Sequence, residues 1–467
     1  MTAGAVKSGA TYAVGVLFAI NAMNFFDRQI IGAVTEPIRR EWGLSDTELG
    51  VLATVFTLLY AVVGLPLGRL SDRAPRKTIL AGGVFAWSLM TGLSGFARSF
   101  GQLVVARLGV GVGEATCSPA ATSLLGDLYP THRRARAMSV FMLGLPIGLG
   151  LSAGVGGWVA QTWGWRAAFF VAGVPGLLCA IAALAITEPP RGTLEEHAVG
   201  TRRRPGSPYA LVLSIPTMWW VIASGALHNF NMYAFGQFMA SFLIRYHGVS
   251  LRNAGYLTMV VYGLSGIVGL VGGGILADRL YQKRVDGRLI VATGSIVICT
   301  PLIYLALLRP SGDILGFALL MGTGCGVMYA YYSTVYSTIQ DVVEPALRGT
   351  AMALYFCAMY ICGASLGPLG TGFASDYFTF RVAAAAGKVQ QLPFGELVQG
   401  QLRAWTGGPK MTLPAALEPF RGQGLHSAMF IIPVIAAILA VVLFAASRTV
   451  KNDVARLRNW MASAAAD

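Results

Sequence analysis

Charged side chains are scarce in this 467-residue sequence. Asp, Glu, Lys and Arg make up 12% of it, about half the fraction of a typical soluble domain. Hydrophobic residues reach 55%, and the mean hydropathy is +0.61. The composition therefore excludes a soluble globular protein and predicts a protein that crosses a membrane many times.

Histidine and cysteine are rare as well, with five and six residues. All six cysteines lie in apolar stretches, which argues against a disulfide framework and predicts small packing residues. The histidines form no cluster with Asp or Ser and show no metal-ligand spacing. We therefore expect no cofactor, no metal and no enzymatic activity.

No targeting peptide is evident before the first apolar stretch, and no small-residue cleavage site follows it. We expect this stretch to stay in the membrane as the first span. In all, twelve stretches reach the roughly 17–25 residues that a bilayer core requires. They lie near 11–34, 47–68, 78–97, 100–125, 136–160, 166–187, 216–245, 252–277, 288–308, 313–339, 347–373 and 425–447.

The basic residues predict the orientation of these spans. With the N-terminus inside, 21 of the 35 Lys and Arg fall in the tails and even-numbered loops, and 12 fall in odd-numbered loops, five of them in the long loop 374–424. The positive-inside rule then places both termini in the cytoplasm. Since the basic residues are scattered between spans, the net charge of +14 reflects orientation and predicts no nucleic-acid partner. We expect the inner (plasma) membrane of a bacterium.

The twelve spans form two related halves. Residues 188–215 are polar, Pro-rich and basic, and they predict a cytoplasmic linker between an N-terminal bundle (1–187) and a C-terminal bundle (216–447), with a tail at 448–467. The sequence GRLSDR (68–73) recurs as GILADR (274–279), and GVGVGE (109–114) recurs as GTGCGV (322–327). The fold class predicted is an all-α membrane protein with twelve transmembrane helices in two six-helix bundles related by a pseudo-two-fold axis. Duplicated bundles of this kind are typical of transporters that bind substrate between the halves.

Four charges inside the predicted spans occur in the first half only. The repeat aligns Asp27, Arg28, Arg107 and Glu114 with the uncharged Ala234, Phe235, Leu320 and Val327. A charge at bilayer depth costs at least ~2.5 kcal/mol, so the cluster requires a reason. One interpretation is a structural ion network. The interpretation that we prefer is a proton relay in which Asp27 and Glu114 exchange H⁺, while Arg28 and Arg107 are their charge partners or clamp an anion.

Other polar positions accompany this cluster. Asn24, His228, Asn231 and Tyr332 are candidate cavity residues, although a lone histidine in a span is more often a packing residue. GRLSDRAPRK (68–77) and its partial copy at 274–284 place acids and bases at the cytoplasmic ends of spans 2 and 8. We interpret these positions as a conformational latch formed by Gly68, Asp72, Arg73, Arg76, Asp278 and Arg279.

The pattern G-x-L-x-D-R-x-x-R-K at 68–77 resembles the major facilitator superfamily. NFFDR in span 1, residues 107–130, GWRAAFFVAGVPGLL (164–178) and TEPPRG (187–192) look more specifically like the Spinster family of proton-linked lysophospholipid and sphingosine-1-phosphate transporters. The resemblance implies the major facilitator fold, alternating access and no cofactor. It also implies that Asp27 and Glu114 are the protonatable pair, with Arg28 and Arg107 as partners or headgroup ligands. Proton-linked sugar-acid symporters share N-x-x-D-R and R-x-x-x-G-x-x-E, and they remain the alternative.

Phe, Tyr and Met in residues 228–244 and 327–339 favour an acyl chain over a second carboxylate. We therefore predict a lysolipid or anionic amphiphile as substrate, protons and membrane lipid as partners, and a monomer. Two further hypotheses are a membrane-embedded lipid enzyme and a receptor that binds without transport. The amphipathic segment 394–405 of the long loop either rests on the lipid surface or belongs to a folded cap.

Overall fold

The computed structural model describes residues 3–129, 131–189, 206–344, 347–390, 395–396, 399–400 and 415–466. At 3–8, 65, 68–69, 71–73, 131–136 and 462–466 it describes the backbone alone. The regular structure in these ranges is helical throughout and contains no strand. Helices satisfy their backbone hydrogen bonds internally, as a bilayer demands.

The first half contains eight helices. They are α1 (Ala3–Trp42), α2 (Asp46–Arg73), α3 (Arg76–Ser94), α4 (Phe100–Glu114), α5 (Cys117–Leu128), α6 (Thr131–Met142), α7 (Gly144–Trp163) and α8 (Trp165–Leu184). The α2 helix begins with a capping box, in which the Ser45 side chain accepts from Glu48 N and the Glu48 carboxylate accepts from Ser45 N.

The second half contains α9 to α19 and two π-helical segments. They are α9 (Pro208–Leu213), α10 (Pro216–Arg245), α11 (Leu251–Thr258), π1 (Met259–Leu264), α12 (Ser265–Lys283), α13 (Gly287–Leu307), α14 (Ile314–Met328), α15 (Ala330–Val342), α16 (Arg348–Ala358), π2 (Met359–Ala364), α17 (Leu366–Ala385), a 3₁₀ helix (Ala415–Phe420), α18 (Arg421–Met429) and α19 (Ile431–Ala466). The predicted tail after 447 thus continues the last helix. Of the amphipathic segment 394–405, only 395–396 and 399–400 belong to the described residues.

Nine helical stretches within the described ranges are long and apolar enough to cross a membrane. The other three predicted spans correspond to α3, α4–α5 and α10. The α3 helix has 19 residues but starts with Arg76 and Lys77, which lower its hydropathy, and the α4 helix has only 15 residues. The α10 helix has 30 residues but contains polar side chains in its middle, including His228, Asn231 and Gln237.

Predicted span 4 is not one continuous helix, which corrects the sequence expectation. The α4 helix ends at Glu114 and α5 begins at Cys117, with the Thr116 hydroxyl donating to Gly113 O at 2.8 Å. The repeat aligns Thr116 with Tyr329, and Tyr329 likewise separates α14 from α15. Both halves of the repeat therefore contain this helix break, but only the first half has a charged residue, Glu114, next to it.

The two bundles meet where α1 packs on α10 in the centre of the molecule, and along two seams to either side. In the first seam α2 packs on π2 and α17, and in the second seam α7 packs on α11 and π1. We call the end of the molecule with turns 43–45 and 246–250 the upper end, and the end with turns 74–75 and 284–286 the lower end. Both seams lie in the upper half of the molecule.

A charged network, which we call the seal, closes the upper end between the bundles. It consists of Glu36, Asp46, Arg245 and Asp376. Arg245 donates to the Glu36 carboxylate at 2.6 Å and to the Asp46 carboxylate at 2.8 Å. Asp376 of α17 accepts from the backbone N–H groups of Asp46 at 3.1 Å and Thr47 at 2.9 Å. The C-terminal bundle thus caps the N-terminus of α2 across the interface.

The lower half differs. Among the described residues, every hydrogen bond between the bundles lies at the level of Arg28 or above it. The buried core follows the same division. One apolar cluster runs through both bundles in the upper half, whereas the lower part of the N-terminal bundle has a cluster of its own. The described contacts therefore close the upper end only.

Three of the six predicted latch positions are described fully. Arg76 is buried and donates to Glu188 through its backbone N–H at 2.8 Å and its Nε at 3.0 Å, and its guanidinium also pairs with Asp127. In the second half Arg288 pairs with Asp278 at 3.0 Å and with Asp341.

Arg279 is exposed, and the structure describes no partner for it. The predicted positions Gly68, Asp72 and Arg73 lie in α2, at a stretch whose side chains are outside the described residues.

Glu188 gives the lower end a pH-dependent contribution to stability. Burial raises the pKa of Glu188, but hydrogen bonds from Arg76 and from the Lys77 backbone lower it by more, so the net pKa lies below its ordinary value. We expect Glu188→Gln to lower the free energy of unfolding by about 1 kcal/mol at neutral pH, because the carboxylate is partly exposed and screened. Thermal unfolding across a pH series measures this.

A depressed carboxylate pKa stabilises the fold above the pKa of the unfolded chain, and the contribution disappears as the pH falls through the folded pKa. The wild type and the Gln variant should therefore converge in acid. A difference of constant size at every pH would contradict this assignment.

The second seam depends on a backbone approach that a side chain would block. A Cβ on Gly263 would lie 2.4 Å from Gly150 Cα and 2.7 Å from Gly150 N. We expect Gly263→Ala to separate α7 from π1 and to cost about 1–3 kcal/mol, measured as a lower melting temperature in detergent.

Gly272→Ala is the matched control, because a Cβ at Gly272 in the same span has open space within 4 Å. The control should unfold at the wild-type temperature or slightly above it. Equal losses in both variants would contradict the proposed role of the seam.

Candidate functional site

The four charges of the first half lie together in the N-terminal bundle. Asp27 and Arg28 stand on α1, and Arg107 and Glu114 stand on α4. Their exposed fractions are 0%, 8%, 1% and 0%. Arg107 and Glu114 share a face of α4 because seven residues make two helical turns. The structure thus brings the predicted charges to one buried place.

Arg28 and Glu114 form a buried ion pair. Arg28 donates to Glu114 Oε2 through Nε and through Nη2, each at 3.1 Å. Nη2 also donates to Asn24 Oδ1 at 3.2 Å, so one predicted cavity residue joins the cluster. Nη1 donates to the hydroxyls of Tyr233 at 3.2 Å and Tyr360 at 3.1 Å. All five N–H groups of the guanidinium are therefore occupied.

Arg28 links the two bundles through these bonds, because Tyr233 stands on α10 and Tyr360 on π2. Aromatic rings also enclose its guanidinium. Their centroids lie 4.5 Å (Tyr60), 5.1 Å (Phe25), 5.4 Å (Phe56) and 5.8 Å (Tyr360) from the guanidinium carbon. Cation–π contacts of this kind stabilise a desolvated guanidinium.

Arg107 differs from the expectation that each arginine is paired with an acid. Its Nη1 donates to the backbone oxygen of Asp27 at 3.1 Å and its Nη2 to that of Arg28 at 3.4 Å. The described contacts include no hydrogen bond from Arg107 to a carboxylate, and its buried Nε has no partner there. Carbonyl dipoles of α1 thus take the place of a hydrogen-bonded carboxylate, and Glu114 acts on the positive charge of Arg107 without a hydrogen bond.

A small cavity of about 20 Å³ adjoins both arginines. Arg28 and Arg107 line it together with Gln29, Ile31, Leu52, Ala53, Phe56, Tyr233 and Gln237. This volume holds a single water, which could bond the free Nε–H of Arg107. The space beside the arginines is therefore too small for a substrate in this conformation.

Asp27 stands apart from Arg28 despite being its neighbour in the chain. Both of its carboxylate oxygens are fully buried, and neither has a hydrogen-bond partner among the described residues. The Trp87 indole N–H and the Thr91 hydroxyl of α3 are donors directed at this carboxyl, but neither makes a hydrogen bond of ordinary length to it. An ionised carboxylate without a partner is very costly to bury, so this environment suits the neutral acid.

The other predicted cavity residues lie inside the C-terminal bundle. His228 and Asn231 are fully buried. His228 stacks on Tyr331 with ring centroids 3.9 Å apart, and the Tyr332 hydroxyl donates to Asn229 Oδ1 at 3.2 Å. None of the three predicted residues bonds to the charged cluster within the described contacts. The His228 ring nitrogens and the Asn231 amide have no partner among the described residues, and Tyr332 is half-buried, so a cavity role for these residues stays a prediction.

Sequence reasoning missed the tyrosines that bind Arg28. A search for ionisable groups inside spans does not select Tyr60, Tyr233 or Tyr360, because their hydroxyls are uncharged. The repeat did carry a signal, since its alignment sets Tyr233 opposite Phe26, next to Asp27. The seal was missed for a different reason: its charges lie at span ends, where loop charge is ordinary.

Comparison with known proteins agrees with this architecture. Residues 17–385 match the sequence model of the family described as Major Facilitator Superfamily. An MFS-type efflux pump of Mycolicibacterium smegmatis is 30% identical over 80% of this chain and 86% of its own length. A probable L-galactonate transporter of Escherichia coli is 26% identical over 81% and 86%, and mouse protein spinster homolog 1 is 29% identical over 80% and 74%.

A solved structure extends the agreement to the fold. The crystal structure of a bacterial homologue to the human lysosomal transporter Spinster, in an inward-facing and unoccupied conformation, superimposes with a TM-score of 0.80. It is 28% identical and covers 95% of this chain and 98% of its own. The predicted fold of twelve spans in two bundles is confirmed. The chain belongs to the major facilitator superfamily and is a membrane transporter that resembles the Spinster proteins, not an enzyme.

Proposed function

We propose that this protein is a proton-coupled transporter of lysophospholipids or related anionic amphiphiles, and that it works by alternating access of a site at Arg28. With both termini in the cytoplasm, the sealed upper end faces outward and the conformation described is inward-facing. Rocking of the two bundles about the seams would expose the site to each side in turn.

The observation that carries the proposal is the full occupation of Arg28. Its Nε and one Nη2 N–H form the edge that binds a phosphate bidentately, and Glu114 occupies that edge. A headgroup can therefore bind there only when Glu114 withdraws. Protonation of Glu114 weakens its hold on the guanidinium, so a proton and an anionic substrate favour the same state.

Asp27 supplies a second protonation site in this proposal. Its unpartnered burial supports a neutral acid in the inward-facing state. A conformation that brings water or Arg107 to its oxygens would release the proton. Asp27 and Glu114 thus differ in role, since Glu114 competes with the substrate and Asp27 responds to the conformation.

The surroundings of Arg28 favour an amphiphile. A chain of half-buried rings extends from it, with centroid separations of 4.9 Å for Tyr60–Tyr360, 6.5 Å for Phe356–Tyr360 and 5.7 Å for Tyr336–Phe356. These rings offer apolar surface for an acyl chain and no cation for a second carboxylate. The similarity to a sphingosine-1-phosphate transporter of Danio rerio, 28% identical over 78% of this chain and 76% of its own length, supports the same choice.

We expect Glu114→Gln to abolish proton-driven uptake into proteoliposomes but to bind lysophospholipid about tenfold more tightly at neutral pH. A neutral amide releases the guanidinium edge, and a bond to a charged group is worth about 1.5–3 kcal/mol. Equilibrium titration with a lysophospholipid in acidic and neutral buffer measures this, and the affinity of the variant should lose most of its pH dependence.

Arg28→Lys is the matched control, because an ammonium keeps the charge but cannot bind bidentately. It should weaken binding in both buffers. Retention of proton-driven uptake by Glu114→Gln would remove the proposed coupling. Saturable binding of a sugar acid without any response to lysophospholipid would replace the amphiphile by the alternative substrate, which the L-galactonate transporter of E. coli represents.

Asp27→Asn tests the second site. Because Asn resembles the neutral acid, we expect the free energy of unfolding of the variant to stay within about 0.5 kcal/mol of the wild-type value. The variant should lose proton-driven uptake but retain substrate counterflow.

Asp453→Asn serves for comparison. That carboxylate is also buried, but it accepts from Thr217 N at 2.9 Å and Thr217 Oγ1 at 2.6 Å. We expect this variant to be less stable and still coupled. The role assigned to Asp27 fails if Asp27→Asn transports with full proton coupling, or if it unfolds as readily as Asp453→Asn.

A further inference from the structure

The π2 segment interrupts the eleventh span at the level of Arg28. Ser365 N donates to Tyr360 O, five residues earlier, at 3.0 Å, whereas an α-helix would bond four residues earlier. The Ser365 hydroxyl lies 2.9 Å from the same oxygen. Single π turns of this kind store a local change of register and occur frequently at functional sites.

The N-terminal bundle holds both ends of π2. At the lower end the Tyr360 hydroxyl accepts from Arg28 at 3.1 Å, and its ring packs on Tyr60 of α2. At the upper end Thr54 Oγ1 donates to Ser365 O at 2.5 Å, and the Ser365 hydroxyl lies 3.1 Å from Thr57 Oγ1. The π turn therefore lies between two attachments to the other bundle.

Above π2, α17 continues to the seal. Asp376 accepts from the first backbone N–H groups of α2 and from Thr47 Oγ1 at 2.7 Å. A carboxylate at a helix N-terminus satisfies amides that have no partner inside the helix. A rotation of α17 about its axis would carry Asp376 away from these amides.

We propose that π2 transmits the state of the Arg28–Glu114 pair to the seal. When Glu114 releases Arg28, the guanidinium turns toward the substrate and leaves the Tyr360 hydroxyl. The π turn then closes to α-helical bonding, α17 rotates, and Asp376 withdraws from the N-terminus of α2. Tyr360 and Asp376 are positioning residues in this relay. The trigger rests on the proposed function, whereas the link from Tyr360 to Asp376 does not.

Tyr233 offers an internal comparison for Tyr360. Both hydroxyls accept from Nη1 of Arg28, at 3.2 and 3.1 Å. Tyr233 stands on the regular helix α10 rather than on a π segment. Removal of either hydroxyl costs Arg28 one bond, but only removal of the Tyr360 hydroxyl acts on π2.

Hydrogen–deuterium exchange of the full-length protein in lipid nanodiscs tests the relay. We expect Tyr360→Phe to speed exchange about fivefold or more both in π2 and at the Asp46 and Thr47 amides, while α13 stays at the wild-type rate. Asp376→Asn should speed exchange at the α2 amides only. Tyr233→Phe should leave both segments unchanged.

A double-variant cycle then addresses the trigger. Glu114→Gln should reproduce the effect of Tyr360→Phe, and the combination should add little to either change, because both act through one contact. Combined with Tyr233→Phe, Glu114→Gln should keep its full effect.

Unchanged α2 amides in Tyr360→Phe would overturn the relay, and so would equal effects of Tyr360→Phe and Tyr233→Phe. If Tyr360→Phe acts as expected and Glu114→Gln does not, the relay stands and the coupling role proposed for Glu114 fails. The two ideas thus fail by different results.

Discussion

The contact between the bundles at mid-depth depends on the guanidinium of Arg28, whose five N–H groups are all hydrogen-bonded. Arg28 uses two N–H groups for Glu114, one for Asn24 and two for tyrosines of the other bundle. A buried guanidinium is costly unless its N–H groups are bonded, and in Arg28 all five of them are. A ligand that binds the guanidinium must displace Glu114, Asn24 or a tyrosine of the other bundle. In the proposed mechanism, displacement of Glu114 or of a tyrosine is what links substrate binding to the contact between the bundles.

The intramembrane charges and the π turns lie in different halves of the chain. The first half carries the four intramembrane charges, while π1 and π2, the π turns that the structure describes, both lie in the second half and face a seam. Helices α2 and α7, which form the other side of each seam, carry no π turn along their described lengths. The intramembrane charges therefore lie in one bundle, and the described π turns lie in the other. Alternating access requires both a change of charge and an element with two conformations, because the change of charge shifts the equilibrium only if it favours one of those conformations.

Sequence reasoning was strongest where composition dictates structure. Apolar length predicted the spans, the repeat predicted the bundles, and the high cost of a charge in the membrane selected Asp27, Arg28, Arg107 and Glu114. Sequence reasoning could not predict features that depend on the three-dimensional positions of the side chains. Nothing in the residue types shows that Arg107 bonds to carbonyls, that Asp27 turns toward Trp87, or that a helix break follows Glu114. His228 and Asn231 were selected as polar residues in a span, and the structure buries them in the C-terminal bundle with no described bond to the charged cluster.

The seal shows why such contacts escape prediction from sequence. Asp376 completes the amides of α2 from a position 329 residues away in the chain, and its own surroundings in the sequence resemble an ordinary span end. What identifies it is that α2 would otherwise begin with unsatisfied N–H groups in a buried place. These N–H groups are buried only because the bundles meet there, so they regain water when the bundles part. In the proposed mechanism the cap therefore stabilises only the state with a closed upper end, and proton and substrate together offset the free energy that its loss on opening costs.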